Sequence, residues 1–205
     1  MNDNERRELE QKAKNRDVNA AKTLGNYYRQ LEETEENNVL SHYYYMMAAN
    51  LGYAPAKFMV ALDYIGGDGV EANLEIAFKY MKEAADEGVA NAQYMYALSL
   101  MSDKFKSKEA FTYFERAAKQ GQARAQVELG DIYMFQKQEI DNAIFWWVCA
   151  YLHGESALQD SNNAKERLDD LVKSGVPGGQ GRISRMMETV KESRYSQYRQ
   201  NPSYD

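Results

Sequence analysis

Two short blocks recur along this chain at nearly constant spacing, and no other feature restricts its fold as strongly. The first block reads Val18-Asn-Ala-Ala-Lys-Thr-Leu-Gly-Asn-Tyr-Tyr28 and Ala54-Pro-Ala-Lys-Phe-Met-Val-Ala-Leu-Asp-Tyr64. It returns as Ala90-Asn-Ala-Gln-Tyr-Met-Tyr-Ala-Leu-Ser-Leu100 and Ala123-Arg-Ala-Gln-Val-Glu-Leu-Gly-Asp-Ile-Tyr133. Its anchor alanines, Ala20, Ala56, Ala92 and Ala125, step by 36, 36 and 33 residues. The second block runs Ser41 to Gly52, Ala77 to Gly88, Ala110 to Gly121 and Ala143 to Gly154, and its closing glycines step by 36, 33 and 33.

Each block has helical spacing. Ala125, Leu129, Gly130 and Tyr133 share one side of the first block; Ala77, Tyr80, Ala84 and Gly88 share one side of the second. Gly88 and Gly121 stand where a helix end favours a left-handed residue. Alanine and glycine at facing positions let helices approach closely, and the rings of Tyr44, Tyr80, Tyr113 and Trp146 are expected to fill the gap to the next helix. One helix pair cannot bury such a face alone, so successive pairs must stack into a solenoid.

The pattern resembles the Sel-one-like repeat, a relative of the tetratricopeptide repeat. That family carries an A-x-A-x-x-x-L-G-x-x-Y helix, a G-x-G-V turn and a second helix ending A-A-x-x-G. Tyr64-Ile-Gly-Gly-Asp-Gly-Val70 holds the turn almost in full. Repeat one replaces it with Glu32-Glu33-Thr34-Glu35-Glu36-Asn37-Asn38, read as a solvated inter-helix loop; repeats three and four shorten it to residues 102–107 and 136–139. The implied fold is an all-α, right-handed superhelix of four helix pairs, residues 17–53, 54–89, 90–122 and 123–156, with caps. The solenoid is expected over residues 1–175, a capping helix over 176–194 and a polar tail over 195–205. In the N-terminal cap Ala13 matches Ala118, and Arg16 stands where Gly121 stands. In the C-terminal helix Ile183, Met186, Met187 and Val190 form an apolar stripe.

Candidate chemistry reduces to structural readings. Gly175 to Gly181 lacks the Gly-Lys-Ser/Thr ending and preceding strand of a phosphate loop, so it reads as a helix stop and turn. His153 in a last helical turn has no second ligand at metal spacing, and His42, expected to start a helix, has no visible partner. Cys149 lies among Trp146, Trp147, Val148 and Ala150, where an apolar setting disfavours a thiolate. Glu32, Glu33, Glu35 and Glu36 do not form a calcium loop. Neither metal, cofactor nor catalytic constellation is visible, so no enzyme is expected. Tyr43-Tyr44-Tyr45 and Trp146-Trp147 resemble base-stacking platforms, but adjacent helical residues point ~100° apart, which leaves one ring of each set outward. A net charge of −6 gives nucleic-acid binding no support. The longest apolar run, Ala143 to Leu152, falls short of the ~20 residues of a membrane span. With no apolar stretch near Met1 and a single cysteine, a cytoplasmic monomer is expected.

The resemblance also implies where a partner would lie. In tetratricopeptide-like arrays the first helices line a concave face, and the variable ligand positions form one stripe. Here these are Asn19, Lys22, Asn26 and Arg29; Pro55, Phe58, Leu62 and Ile65; Asn91, Tyr94, Leu98 and Met101; Arg124, Val127, Asp131 and Met134. Phe58, Leu62, Tyr94, Leu98 and Met101 either line a groove as an apolar patch or pack between first helices. The expected function is a non-catalytic adaptor or regulator binding a protein or peptide in that groove. The alternative is an immunity protein that neutralises a bacterial toxin.

Overall fold

The structure, a computed structural model, describes residues 1–101, 107–153 and 158–195. Among them are eleven α-helices and no strand. The chain divides into two compact units. The first holds α1 (Asp3–Lys14), α2 (Val18–Gln30), α3 (Glu35–Asn50), α4 (Ala54–Gly66), α5 (Leu74–Asp86) and α6 (Ala90–Leu100). The second holds α7 (Ser107–Lys119), α8 (Ala123–Ile132), a π-helical turn (Tyr133–Lys137), α9 (Ile140–His153), α10 (Leu158–Lys173) and α11 (Gly179–Tyr195). The tail expected beyond Tyr195 lies outside the described residues.

Helix starts follow from the side chains that precede them. Asn2 and Glu5 form a reciprocal capping box on α1 (2.9 and 3.0 Å). Asp17, Thr34 and Asn73 accept from the backbone N–H three residues on, capping α2, α3 and α5. The Thr34 cap corrects the loop expected at 32–38. Glu35 and Glu36 form the first turn of α3, where their charge complements the helix dipole.

Second helices end in one recurring motif. Arg16, Gly52, Gly88 and Gly121 all adopt positive φ (66°, 89°, 98° and 89°). The next N–H then reaches back five residues: Asp17 to Lys12, Tyr53 to Ala48, Val89 to Ala84, Gln122 to Ala117, at 3.0–3.1 Å. The paired alanines therefore both fill the core and present carbonyls to the turn. Two buried amides use the carbonyl of the other alanine in each pair: Gln93 Nε2 donates to Ala85 O and Gln126 Nε2 to Ala118 O, each at 3.0 Å. Each bond ties a first helix to the second helix before it. Near the C-terminus, Gly175 and Gly178 turn the chain at positive φ (75° and 68°), while α11 already begins at Gly179.

In the first unit, the core joins Ala20, Ala21, Leu24 and Tyr28 of α2 to Tyr44, Tyr45, Ala48 and Ala49 of α3 and Val60 of α4. The expected ring positions split into two roles. Tyr44 stacks parallel on Tyr28 (centroids 5.8 Å) and Tyr80 on Tyr64 (6.3 Å). The ring filling the close helix approach is one residue later: a Cβ at Gly25 would meet Tyr45, and one at Gly130 would overlap Trp147. Gly69, at positive φ, lays the turn after α4 on the α3 backbone at Asn38.

In the second unit, α9 packs against α8, α10 and α11. It is covered on so many sides that Trp146 and Trp147 are both buried, which overturns the expectation of one outward tryptophan. Cys149 is fully buried beside them. The tyrosine triplet behaves as expected, with Tyr43 exposed and Tyr44 and Tyr45 buried. Burial pushes the Tyr44 hydroxyl up to about 12.

Candidate functional site: the stripe on the first helices

The stripe does not have one character along its length. In repeat one Asn19 is exposed, and the Lys22 ammonium lies 5.3 Å over the Tyr53 ring. Exposed Asn26 accepts a hydrogen bond from the Tyr45 hydroxyl at 2.9 Å. Arg29 is engaged inward: its Nη2 bonds Asp63 Oδ1 on α4, its Nη1 lies 3.6 Å from Asp68, and its guanidinium sits over Tyr45.

Asp63 is fully buried, and His42 Nδ1 meets its other oxygen at 2.9 Å. The His42 ring also stands edge-on to Tyr64. His42 is therefore well inside α3 with a carboxylate partner, contrary to its expected place as an unpartnered helix start. The Arg29–Asp63–His42 cluster joins α2, α3 and α4. No sequence signal pointed to it, because Asp63 falls where the other repeats carry Tyr27, Ser99 and Ile132.

In repeats two and three the stripe turns apolar. Pro55, Phe58, Leu62 and Tyr94 are half-buried and Asn91 is exposed. Ile65, Leu98 and Met101 keep 44%, 39% and 45% of their surface exposed. In repeat four the stripe is taken up by α10. Val127 packs on Ala150 and Ala164, exposed Arg124 pairs with Asp160 at 3.4 Å, and Met134 is half-buried. Arg167 Nε donates to both oxygens of Asp131 (2.6 and 2.8 Å), and Trp147 Nε1 donates to Oδ1 at 3.0 Å. Its hydrogen bonds to the Asp131 carboxylate hold the Arg167 guanidinium above its usual range. Next to this cluster burial pushes the Glu128 carboxyl up; the Asp131 charge adds to that and Arg167 opposes it.

Among the described residues no group of three His, Cys, Asp or Glu side chains is placed to hold a metal ion, and no helix is long and apolar enough to cross a membrane.

The sequence matches the Sel1 repeat four times in succession, over residues 20–53, 54–89, 90–122 and 123–155. The chain belongs to the Sel1 repeat family. Proteins of this family are protein-interaction modules, generally non-catalytic scaffolds. Similar solved structures include a protective antigen of uropathogenic Escherichia coli strains displaying an SLR fold. It is 25% identical with a TM-score of 0.64, over 88% of this chain and 43% of that one. A Sel1 repeat protein from Oxalobacter formigenes is 26% identical with a TM-score of 0.65, over 80% of this chain and 47% of that one. The chain thus spans under half the length of either Sel1-type relative. An immunity protein from Pseudomonas aeruginosa is 16% identical at a TM-score of 0.41, over 84% of this chain and 80% of that one, too distant for its role to transfer. No curated protein matches the sequence.

Proposed function

We propose that this Sel1 repeat chain is a non-catalytic adaptor that seats a protein or peptide partner on the first-helix stripe of repeats two and three. The observation that carries this reading is the exposure of Ile65, Leu98 and Met101 beside half-buried Phe58, Leu62 and Tyr94. Apolar side chains left open in register on neighbouring repeats are the usual mark of a partner surface. The same register is filled by α10 in repeat four and engaged by Asp63 at the end of repeat one. The two charged clusters bond to themselves and join helices, which favours a scaffold over a reaction site. Asn19, Lys22 and Asn26 then form the polar border of the surface.

Affinity capture from native lysate names the partner, and titration of the purified pair tests the site. Leu98→Asp with Met101→Asp is expected to weaken binding by about 100-fold or more, since apolar anchors each contribute on the order of 2 kcal/mol. Both side chains are exposed, so helicity and melting should hold. Asn19→Ala with Lys22→Ala should cost less and act through salt-dependent association. Normal binding by the folded Leu98/Met101 variant refutes the stripe. A toxin as the captured partner selects the immunity role; a signalling or assembly protein selects the adaptor role.

A further inference from the structure

A second surface lies apart from the stripe. The end of α1 and the last turns of α3 form an open groove of about 360 Å³ whose lining includes Ala13, Lys14, Arg16, Tyr43, Met46 and Met47. We propose that this groove binds a peptide segment of a partner protein in which an apolar side chain is flanked by carboxylates. The site does not depend on the stripe.

The floor is apolar and adaptable. Tyr43 is the outward ring of the tyrosine triplet, 51% exposed, and it is braced edge-on by buried Tyr44 at 5.0 Å. Half-buried Met46 and Met47 complete the floor with flexible, polarizable side chains suited to varied apolar anchors. The volume is at the small end of the ~300–1,000 Å³ typical of ligand sites, so it suits an anchor side chain rather than a whole docked helix.

The rim is cationic and unsatisfied. On α1, Arg6 is paired with Asp3 and Glu10, and Lys12 with Glu8. Lys14 and Arg16 are exposed, have no carboxylate partner among the described residues, and share the groove with no acidic side chain. In a chain of net charge −6 this is a local reversal of sign.

Arg16 adds an independent argument. It takes φ 66° at the register where later repeats place Gly52, Gly88 and Gly121. A left-handed residue there favours glycine, and the arginine recovers part of that cost by placing a cation at the negative end of the α1 dipole. The same side chain sets a cation over the groove. Two cations in an acidic chain are too few for an extended phosphate backbone or an anionic membrane, which leaves a short acidic peptide as the fitting occupant.

Fluorescence anisotropy with the full chain tests this using the labelled peptide Asp-Glu-Leu-Phe-Asp-Glu. It should bind at least about tenfold tighter than Lys-Lys-Leu-Phe-Lys-Lys or Asp-Glu-Ser-Ser-Asp-Glu, because charge and anchor both contribute. Lys14→Gln with Arg16→Gly should weaken binding about tenfold while the melting temperature holds or rises, since glycine suits the left-handed position. Tyr43→Ala should weaken the Leu-Phe peptide and leave the Ser-Ser peptide unchanged. The Leu98→Asp/Met101→Asp variant should bind the peptide as wild type does; loss of binding there would move the peptide to the stripe and overturn the second site. Equal binding of the three peptides, or unchanged binding by the Lys14/Arg16 variant, also overturns it. Phosphatidylserine vesicles bound more tightly than the peptide, through the same two cations, would overturn it in favour of a membrane surface.

Discussion

Gly25→Ala tests the close approach of α2 to α3. An ideal Cβ at Gly25 would lie 2.8 and 2.9 Å from Cδ1 and Cε1 of Tyr45, where ordinary contact begins near 3.4 Å. The ring would have to retreat by about 0.6 Å, but it is 3% exposed and its hydroxyl is held by Asn26. Overpacking of this kind costs about 1–3 kcal/mol, and the better helix propensity of alanine offsets about 0.5–1 kcal/mol of it. A net loss of about 1–2 kcal/mol should appear as a lower urea midpoint with unchanged slope. The repeat itself supplies the compensating change. Where repeat one has Gly25 and Tyr45, repeat two has Ala61 and Met81. Tyr45→Met should therefore rescue Gly25→Ala, with a coupling of about 1 kcal/mol or more in the double-mutant cycle. Two results refute the reasoning: a Gly25→Ala chain as stable as wild type, or additive single effects.

Asp63→Asn keeps the shape of the buried side chain but removes the charge facing Arg29 and His42. Breaking a buried ion pair costs about 3–5 kcal/mol. Arg29 is partly exposed and retains Asp68, so a loss of about 2–3 kcal/mol is expected in urea titration; under about 1 kcal/mol would show that the cluster does not hold α2, α3 and α4 together. Glu128 predicts a pH effect of definite sign. Its folded carboxyl holds its proton more tightly than the unfolded one, so this group lowers stability as pH rises from the ordinary carboxylate value through the raised folded value. Glu128→Gln should remove that decline and raise the urea midpoint at neutral pH, and parallel midpoint-against-pH curves for the two proteins would refute the assignment.

How much of this was legible follows from what the copies share. The stacked helix pairs and the left-handed helix ends recur in register, so the sequence carries them several times over, and even Arg16 obeys the rule without being glycine. The rings that meet Gly25 and Gly130 lie one residue after the expected positions, while Tyr44 and Tyr80 stack on Tyr28 and Tyr64. Tyr44 and Tyr45 are both buried, on different neighbours, and periodicity alone does not say which of two adjacent rings faces Gly25. Asp63 was invisible because its partners lie 34 and 21 residues away at positions where the repeat is irregular. The stripe was legible as a set of positions but not in its occupancy, because α10, which covers repeat four, lies beyond the last repeat. Binding by a repeat protein resides in what differs between copies, and those departures divide only when neighbouring helices are in place. Asp63, Asp131 and Gln126 are then joints between helices. Lys14, Arg16, Leu98 and Met101 make no such joint, and the two proposed partner surfaces rest on them.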